Sequence, residues 1–305
     1  MKEAPLAIDR IELLQTFVRI VESGSLSAAA QRLDTTQPTV SRRLQALERH
    51  FGVRLLRRST HAATLTPDGE RCLAMARSLI DEWDAMQEEL RGSRRAASGT
   101  LKVLVPHALG QEQLVAPLAQ YLRAHPEVRV EWLLADRQAD FVAEGIDCAI
   151  QVGEVRDPHV VAVPLFELPR IVIGAPALLE HHKAPRAPEQ LRELPWLALQ
   201  TYYRDRVVLH PVGGGTAQRF DIRPRLRTDS LYALRNAVLA GLGVAVVSAW
   251  LVTEDLREGR LVHLVPGWRA EPLPVQLVYP PARFQAARLR RFLEIVKAHG
   301  QSLAS

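Results

Sequence analysis

The chain has 305 residues, 47% of them hydrophobic and 24% charged, with a formal charge of +5 and a pI near 9.5. That length exceeds one ordinary core and calls for two domains, one of them subdivided, while the composition excludes a disordered or fibrous chain. Cys72 and Cys148 stand far apart in no metal-binding spacing, and the first residues carry no signal-peptide core, so a disulfide scaffold, a zinc site and export are set aside in favour of a reducing cytoplasm.

Ile11, Leu14, Phe17, Val18 and Val21 recur at helical spacing, and Gly24 ends that helix. Ser27 is placed to cap a short helix, AAAQRL, that stops near Asp34. Thr36 is placed to cap a third helix from Gln37 to about Phe51, with Pro38 tolerated in its first turn and Val40, Leu44 and Leu47 facing inward. Gly52 closes it. VRLLRRSTHAATLT reads as a two-stranded ribbon, and Pro67-Asp68-Gly69 opens a helix that runs to about Ser93. On that helix Leu73, Ala76, Ile80, Trp83 and Leu90 occupy a and d heptad positions, widened by Cys72, Leu79 and Met86. The seam predicts pairing with a second copy of the chain, rather than docking on the helix's own domain. Residues 91–100, RGSRRAASGT, form a small, polar, basic linker.

Beyond the linker, strands and helices alternate, which predicts an α/β domain with largely parallel sheets. LKVLV, VRVEWLL and DCAIQV are strands of a first set, with a helix around Leu114–Leu122 and a short one ending at Gly145. A second set begins near Arg170 with RIVIGA, a Pro176-started helix and WLALQ. A hairpin around Gly213-Gly214-Gly215, a helix from Asp229 to Ala240 and the strand GVAVV follow. VQLVYP and a helix from Phe284 to His299 complete the chain. The charge-free run from Asn236 to Thr253 is short of a membrane span and divided by Gly241 and Gly243, so it reads as a buried helix entering a buried strand.

Helix, tight turn, capped helix and ribbon make a winged helix-turn-helix pattern. Between Gln31 and His61 lie seven arginines, at 32, 42, 43, 49, 54, 57 and 58, against Asp34 and Glu48. A charge so concentrated points to a polyanionic partner. Gln37, Thr39, Ser41 and Arg42 stand in the first turns of the third helix, where Gln pairs with adenine, Arg with guanine, and the Thr39 and Pro38 carbons meet thymine methyls. Arg43 is counted with that set, and Arg57 and Arg58 on the ribbon suit phosphates or the minor groove.

The segment LLQTFVRIVESGSLSAAAQRLDTTQPTVSRRLQALERHFGVRLLRRS resembles the N-terminal domain of LysR-type transcriptional regulators. Its marks are Phe17, Gly24-Ser25-Leu26, Ala28-Ala29-Ala30, Leu33, Gln37-Pro38, Val40-Ser41, Leu47-Glu48, Gly52, Leu55-Leu56, Arg58 and Leu65-Thr66. The resemblance extends over nearly the whole chain. It implies that Gln37, Pro38, Ser41 and Arg42 contact the major groove of double-stranded promoter DNA, with Ser27 and Thr36 near phosphates. It also implies a dimerising linker helix, usually within a tetramer, a C-terminal domain that binds an inducer, and RNA polymerase as a further partner. Two positions depart from the pattern. Asp34 stands where Gly or Asn is usual and must adopt a left-handed turn, and His61 stands where the wing commonly has Arg.

The two α/β sets, with the last strand and helix returning to the first, resemble a two-lobed periplasmic-binding-protein fold. The expected division is 1–66 for the winged domain, 67–98 for the linker helix and hinge, and 99–305 for the effector domain. Lobe I covers about 99–166 and 270–305, lobe II about 167–269, joined by crossover strands near Val163–Pro169 and Trp268–Pro274. Ligands in such folds sit at carboxyl ends of strands and amino ends of helices. That rule selects His107, Ala108, Leu109, Asp136 and Gln151 from the first lobe, and Thr201, Tyr202, Thr228, Ser230 and Ser248 from the second. Pro106, Gly153, Tyr203 and Asp229 are their neighbours. Gln151 is neutral, which leaves a carboxylate or aromatic effector open. No cofactor is expected. The rival readings are an α/β enzyme, which lacks any nucleophile elbow, P-loop or HExxH motif, and an effector-independent architectural DNA protein, which has no use for a two-lobed half.

Overall fold

The computed structural model describes residues 9–58, 63–91, 97–180, 182–281 and 285–304. Expectations for His61, for linker residues 92–96, for Phe284 as a helix start, and for the side chains of Arg58 and Leu90 lie outside the described residues.

Three helices open the chain: α1 (Arg10–Ser23), α2 (Leu26–Arg32) and α3 (Gln37–Phe51). Asp9 caps α1, and Gly24 ends it at φ +72°, a left-handed conformation that favours glycine. The cap of α2 is Ser25, not Ser27. Ser25 has the extended backbone a cap needs, and its Oγ accepts the Ala28 N–H at 3.2 Å, whereas Ser27 already lies in the first turn. Asp34 adopts φ +48°, the left-handed turn expected of it. Thr36 holds the cap position of α3, but its hydroxyl meets the Thr39 hydroxyl at 2.9 Å instead of a backbone N–H. Phe17, Ile20, Ala29, Val40, Leu44 and Leu47 are buried together in this domain's core. The ribbon is β1 (Leu56–Arg58) antiparallel to β2 (Ala63–Leu65).

Helix α4 (Pro67–Arg91) follows. Thr66 Oγ1 accepts the Gly69 N–H at 3.0 Å, and a Cβ at Gly69 would stand 2.0 Å from the Leu55 carbonyl oxygen, so only glycine lets this turn approach the domain so closely. The expected seam is split. Ala76 is buried, and Cys72, Leu73 and Ile80 pack half-buried on the winged domain's core, because α1 lies alongside this part of α4. Of the expected stripe Trp83 and the flanking Leu79 remain exposed, and Met75, outside it, joins them.

The remaining elements are β3 (Gly99–Val105), α5 (His107–Gln111), α6 (Val115–Ala124), β4 (Val128–Leu134), α7 (Phe141–Glu144) and β5 (Cys148–Val152). Then come β6 (Val161–Gly174), α8 (Pro176–Glu180), β7 (Leu197–Leu199), β8 (Arg206–Pro211), β9 (Gln218–Asp221) and β10 (Leu226–Thr228). The chain continues through α9 (Leu231–Leu239), β11 (Ala245–Ser248), α10 (Thr253–Arg257), β12 (Val262–Leu264), β13 (Trp268–Tyr279) and α11 (Ala287–Ala304).

One buried cluster joins Leu101, Val103, Tyr121, Leu277 and Phe292, tied by the Tyr121 hydroxyl, which donates to the Arg288 carbonyl at 2.7 Å. A second joins Val172, Trp196, Leu234, Val244 and Val252. Strands β6 and β13 run through both, side by side and antiparallel, with register shifts between Ala270 and Leu273 and between Val275 and Gln276. The sheet order is β11-β6-β13-β5-β3-β4. The expected largely parallel pairing holds only for β3 with β4, β3 with β5, and β7 with β10; β6 with β11 and β12, β8 with β9 and β8 with β13 are antiparallel, so the sheet is mixed. The crossover strands instead pair antiparallel, because one leaves the first cluster and the other returns to it. Among the described residues no helix is long and apolar enough to cross a membrane, and the uncharged 236–253 run is the end of α9, a turn, β11, a short 3-10 helix (Ala249–Val252) and the first residue of α10.

Candidate functional site

Helix α3 buries Val40, Leu44, Leu47 and Glu48, which turns Pro38, Arg42, Gln45 and Arg49 to the opposite, exposed face. Gln37, Thr36 and Ser27 are exposed as well, and Thr39 and Ser41 half-buried. An Arg42 terminal nitrogen donates to the Thr39 hydroxyl at 3.3 Å, so Thr36, Thr39 and Arg42 form one linked row at the helix start. Arg43 is engaged elsewhere: its guanidinium pairs with Glu12 of α1, which ties the two helices together. Arg57 is exposed on β1, opposite Thr64. The Thr39 and Val40 N–H groups both donate to the Thr36 carbonyl, so the outward guanidinium and amide and the arginine ribbon are what can meet phosphates and base edges together.

A cavity of about 40 Å³ lies between the two clusters of the C-terminal half, room for about three waters. Pro106, Ala108, Leu109 and Asp136 line it from one side, and Leu199, Thr201, Tyr202, Tyr203, Asp229 and Ser248 from the other. Of the expected ligand contacts, then, Ala108, Leu109, Asp136, Thr201, Tyr202 and Ser248 come together. His107, Gln151, Thr228 and Ser230 do not line it. The His107 backbone N–H donates to Asp136 Oδ1 at 3.2 Å, and Gln151 sits mid-strand opposite Gln276, its amide turned to the Glu154 carbonyl at 3.1 Å. Ser230 caps α9, accepting the Ala233 N–H at 3.2 Å, and Thr228 accepts the Ser230 N–H at 3.1 Å. The side chains of Gln151, Thr228 and Ser230 serve nearby backbone.

Sequence reasoning missed Arg170 and Trp250, both of which line the cavity. Arg170 was legible as a lone charge inside the apolar run LPRIVIG. It lies on β6, and its Nε donates to the Glu271 carbonyl at 2.6 Å across the crossover pair. Burial pulls its pKa down. Burial pushes the Asp136 carboxyl up, and nearby Asp229 adds to that against the His107 backbone N–H. Burial likewise raises the Tyr202 phenol, which Asp136 raises further and Arg170 lowers, so this ring feels both charges. Tyr203 is buried, and its hydroxyl accepts the Val246 N–H at 2.9 Å. Across the cleft, the Tyr232 hydroxyl of α9 donates to Glu112 Oε1 at 2.7 Å, joining the two sides.

Residues 11–70 match the family model described as bacterial regulatory helix-turn-helix protein, lysR family, and residues 94–301 match the LysR substrate binding domain. The chain is 31% identical to the uncharacterized HTH-type transcriptional regulator YhjC of Escherichia coli K12, covering 94% of this chain and 96% of that one. It is 30% identical to the HTH-type transcriptional regulator PtxR of Pseudomonas aeruginosa, covering 94% and 91%. Among solved structures it is similar to CrgA, a LysR-type transcriptional regulator of Neisseria meningitidis, with TM-score 0.59, 28% identity and coverage of 95% and 98%. The full-length Vibrio cholerae virulence activator AphB gives TM-score 0.60, 25% identity and coverage of 95% and 99%.

Proposed function

This chain belongs to the LysR family of transcriptional regulators, and from that premise we propose how its own residues divide the work. It is a DNA-binding regulator with an effector-binding domain, not an enzyme. Gln37, Pro38 and Arg42 read base edges in the major groove, Ser27, Thr36 and Arg57 meet phosphates, and Arg43 holds α3 against α1. The exposed row on α3, on an arginine-rich domain, is the observation that carries this assignment. Residues 1–66 form the DNA reader, 67–98 the pairing helix, and 99–305 the sensor in the cytoplasm. A small molecule held by Asp136, Tyr202, Thr201, Ser248 and Arg170 shifts the balance between two arrangements of the sensor, by its differential affinity for them. A homodimer, doubled to a tetramer, places two α3 helices on a two-fold operator and contacts RNA polymerase.

Gel-shift titrations over several salt concentrations test the reader. Arg42→Ala loses about 1–3 kcal/mol on the operator if it pairs with a base, or weakens all sequences and flattens the salt slope if it meets phosphate. Unchanged binding rejects the assignment.

A further inference from the structure

Positive charge is concentrated at two places in this chain, and the winged domain accounts for one. Between Arg192 and Arg227 lie seven arginines, all exposed, against Glu193, Asp205 and Asp221. With both segments set apart, the remainder of the chain is net negative. From Arg219 to Arg227 every second residue faces solvent: Arg219, Asp221, Arg223, Arg225 and Arg227. The residues between them turn inward, where Phe220 and Ile222 are buried in the second cluster and Leu226 packs on it. The row follows β9 and β10, and alternate residues of an extended chain stand about 7 Å apart. Its one carboxylate is already neutralised, since Arg206 faces Asp221 across the β8–β9 pair and its Nε donates to Oδ1 at 2.9 Å. Arg219, Arg223, Arg225 and Arg227 form no ion pair among the described residues. Arg192 lies over the Phe220 ring, 5.7 Å from its centroid, and donates to the Arg219 carbonyl at 3.2 Å. An open depression of about 400 Å³ lies between Arg192, Arg206 and Arg219 and admits a phosphate group.

We propose that this row is a second DNA contact, on the sensor half, that follows the phosphate backbone of a duplex held by the winged domain. Exposure argues for a polymer. A guanidinium in open water gains little from one small anion, whereas each phosphate neutralised on a duplex also releases a condensed counterion. The inward turn of Phe220, Ile222 and Leu226 argues against a protein partner, because protein interfaces rest on aromatic and apolar anchors that this face does not present. A duplex bound at residues 11–70 is tethered beside the rest of the chain, so contacts too weak to capture free DNA still count. Contacts of this kind hold the backbone without reading sequence. Asp229, two residues beyond Arg227, lines the cavity between the two clusters, so the row and the cavity share one strand end.

The test is binding of the full chain to a long duplex of mixed sequence, followed by fluorescence anisotropy over a series of chloride concentrations. Each phosphate contact contributes about 0.9 to the slope of log affinity against log salt. Combining Arg219→Gln, Arg223→Gln, Arg225→Gln and Arg227→Gln should therefore make the slope shallower by about 2–4 and weaken binding at least tenfold at roughly 0.1 M salt. Unfolding in urea should not change, because all four side chains stand in solvent. The counterpart with four lysines should keep most of the wild-type slope, since a phosphate contact needs the charge rather than the fork. The proposal is overturned if the glutamine variant keeps the wild-type slope, or if the lysine variant loses as much as the glutamine one. It is also overturned if DNA binding holds while the oligomer seen by light scattering shrinks, which would give the row to a second copy. DNA binding that holds while transcription by RNA polymerase falls would give it to an acidic protein face and overturn it equally. Should the fourfold variant not fold, Arg219→Gln and Arg225→Gln decide singly, each lowering the slope by about 0.9 or rejecting the contact. Failure of the α3 assignment reads separately, through Arg42→Ala, and leaves this comparison intact.

Discussion

Glu48 shows what one side chain does for the winged domain. Only 7% exposed, its Oε1 accepts the Leu55 N–H at 2.9 Å and the Leu56 N–H at 3.4 Å, where the chain leaves α3 for the ribbon. Arg54 lies 3.7 Å away, largely in solvent, and adds little. Glu48→Ala orphans both amides and is expected to cost about 2–3 kcal/mol in urea denaturation, while Arg54→Ala stays near neutral. Asp255 is a second buried carboxylate, fully enclosed, with Arg235 at 2.5 Å and Arg260 at 2.7 Å. Burial pushes its pKa up, but hydrogen bonds from the two arginines outweigh this and hold it below the ordinary value. A depressed native pKa contributes stability that is complete above the unfolded aspartate value, about 3.9, and is lost as pH falls through the native one. Asp255→Asn should therefore melt earlier than wild type at neutral pH, and the gap between the two Tm curves should close below about pH 4. At this scale the backbone demands were legible: Asp34 needed a left-handed turn and Gly24 a helix stop, since local sterics decide both. Glu48 was visible only as a family mark, because its acceptor role depends on amides seven and eight residues away brought back by the ribbon.

The helix α4 shows the same limit for elements. Its existence and start follow from periodicity and the Pro67-Asp68-Gly69 opening, and the described helix runs over Pro67–Arg91. Which stripe stays free does not follow, since a heptad count cannot tell a neighbour within the domain from a second chain. With α1 covering Leu73, Ala76 and Ile80, a charge at Ile80 would test domain folding rather than pairing. Leu79, 49% exposed between Met75 and Trp83, is the better probe. Leu79→Glu should leave urea stability of the winged domain unchanged and reduce the oligomer seen by light scattering, because a charge is tolerated in solvent but not in an apolar seam. An unaltered oligomer would assign the pairing surface elsewhere. The cap of α2 was misplaced by two residues for a related reason, as serines at 25 and 27 offer equal chemistry and only the backbone chooses.

For the whole molecule, the two-lobed outline was legible because the alternation of strands and helices, and the return of the last pair, constrain topology strongly. The cavity lining was legible in part. Strand ends identify the region, but whether a polar side chain there faces ligand or nearby backbone depends on caps and pleat, which took Gln151, Thr228 and Ser230 off the lining. The Tyr232–Glu112 hydrogen bond spans the cleft, so Tyr232→Phe should loosen the closed arrangement. If effector binds that arrangement, its Kd should rise roughly 2–10-fold in calorimetry, from a lost bond of about 0.5–1.5 kcal/mol, with DNA affinity of the unliganded protein unchanged. The pairing of β6 with β13 also sets an order of assembly on the ribosome. The second cluster draws only on residues 171–270, whereas the first needs 97–168 together with 275–296. The inserted half can therefore complete its core during synthesis while β5 still awaits β13 along one edge. A chain stalled or cut before Trp268 leaves that edge open to pair with another nascent chain, so translation speed through the last forty or so codons governs how much of this regulator escapes aggregation.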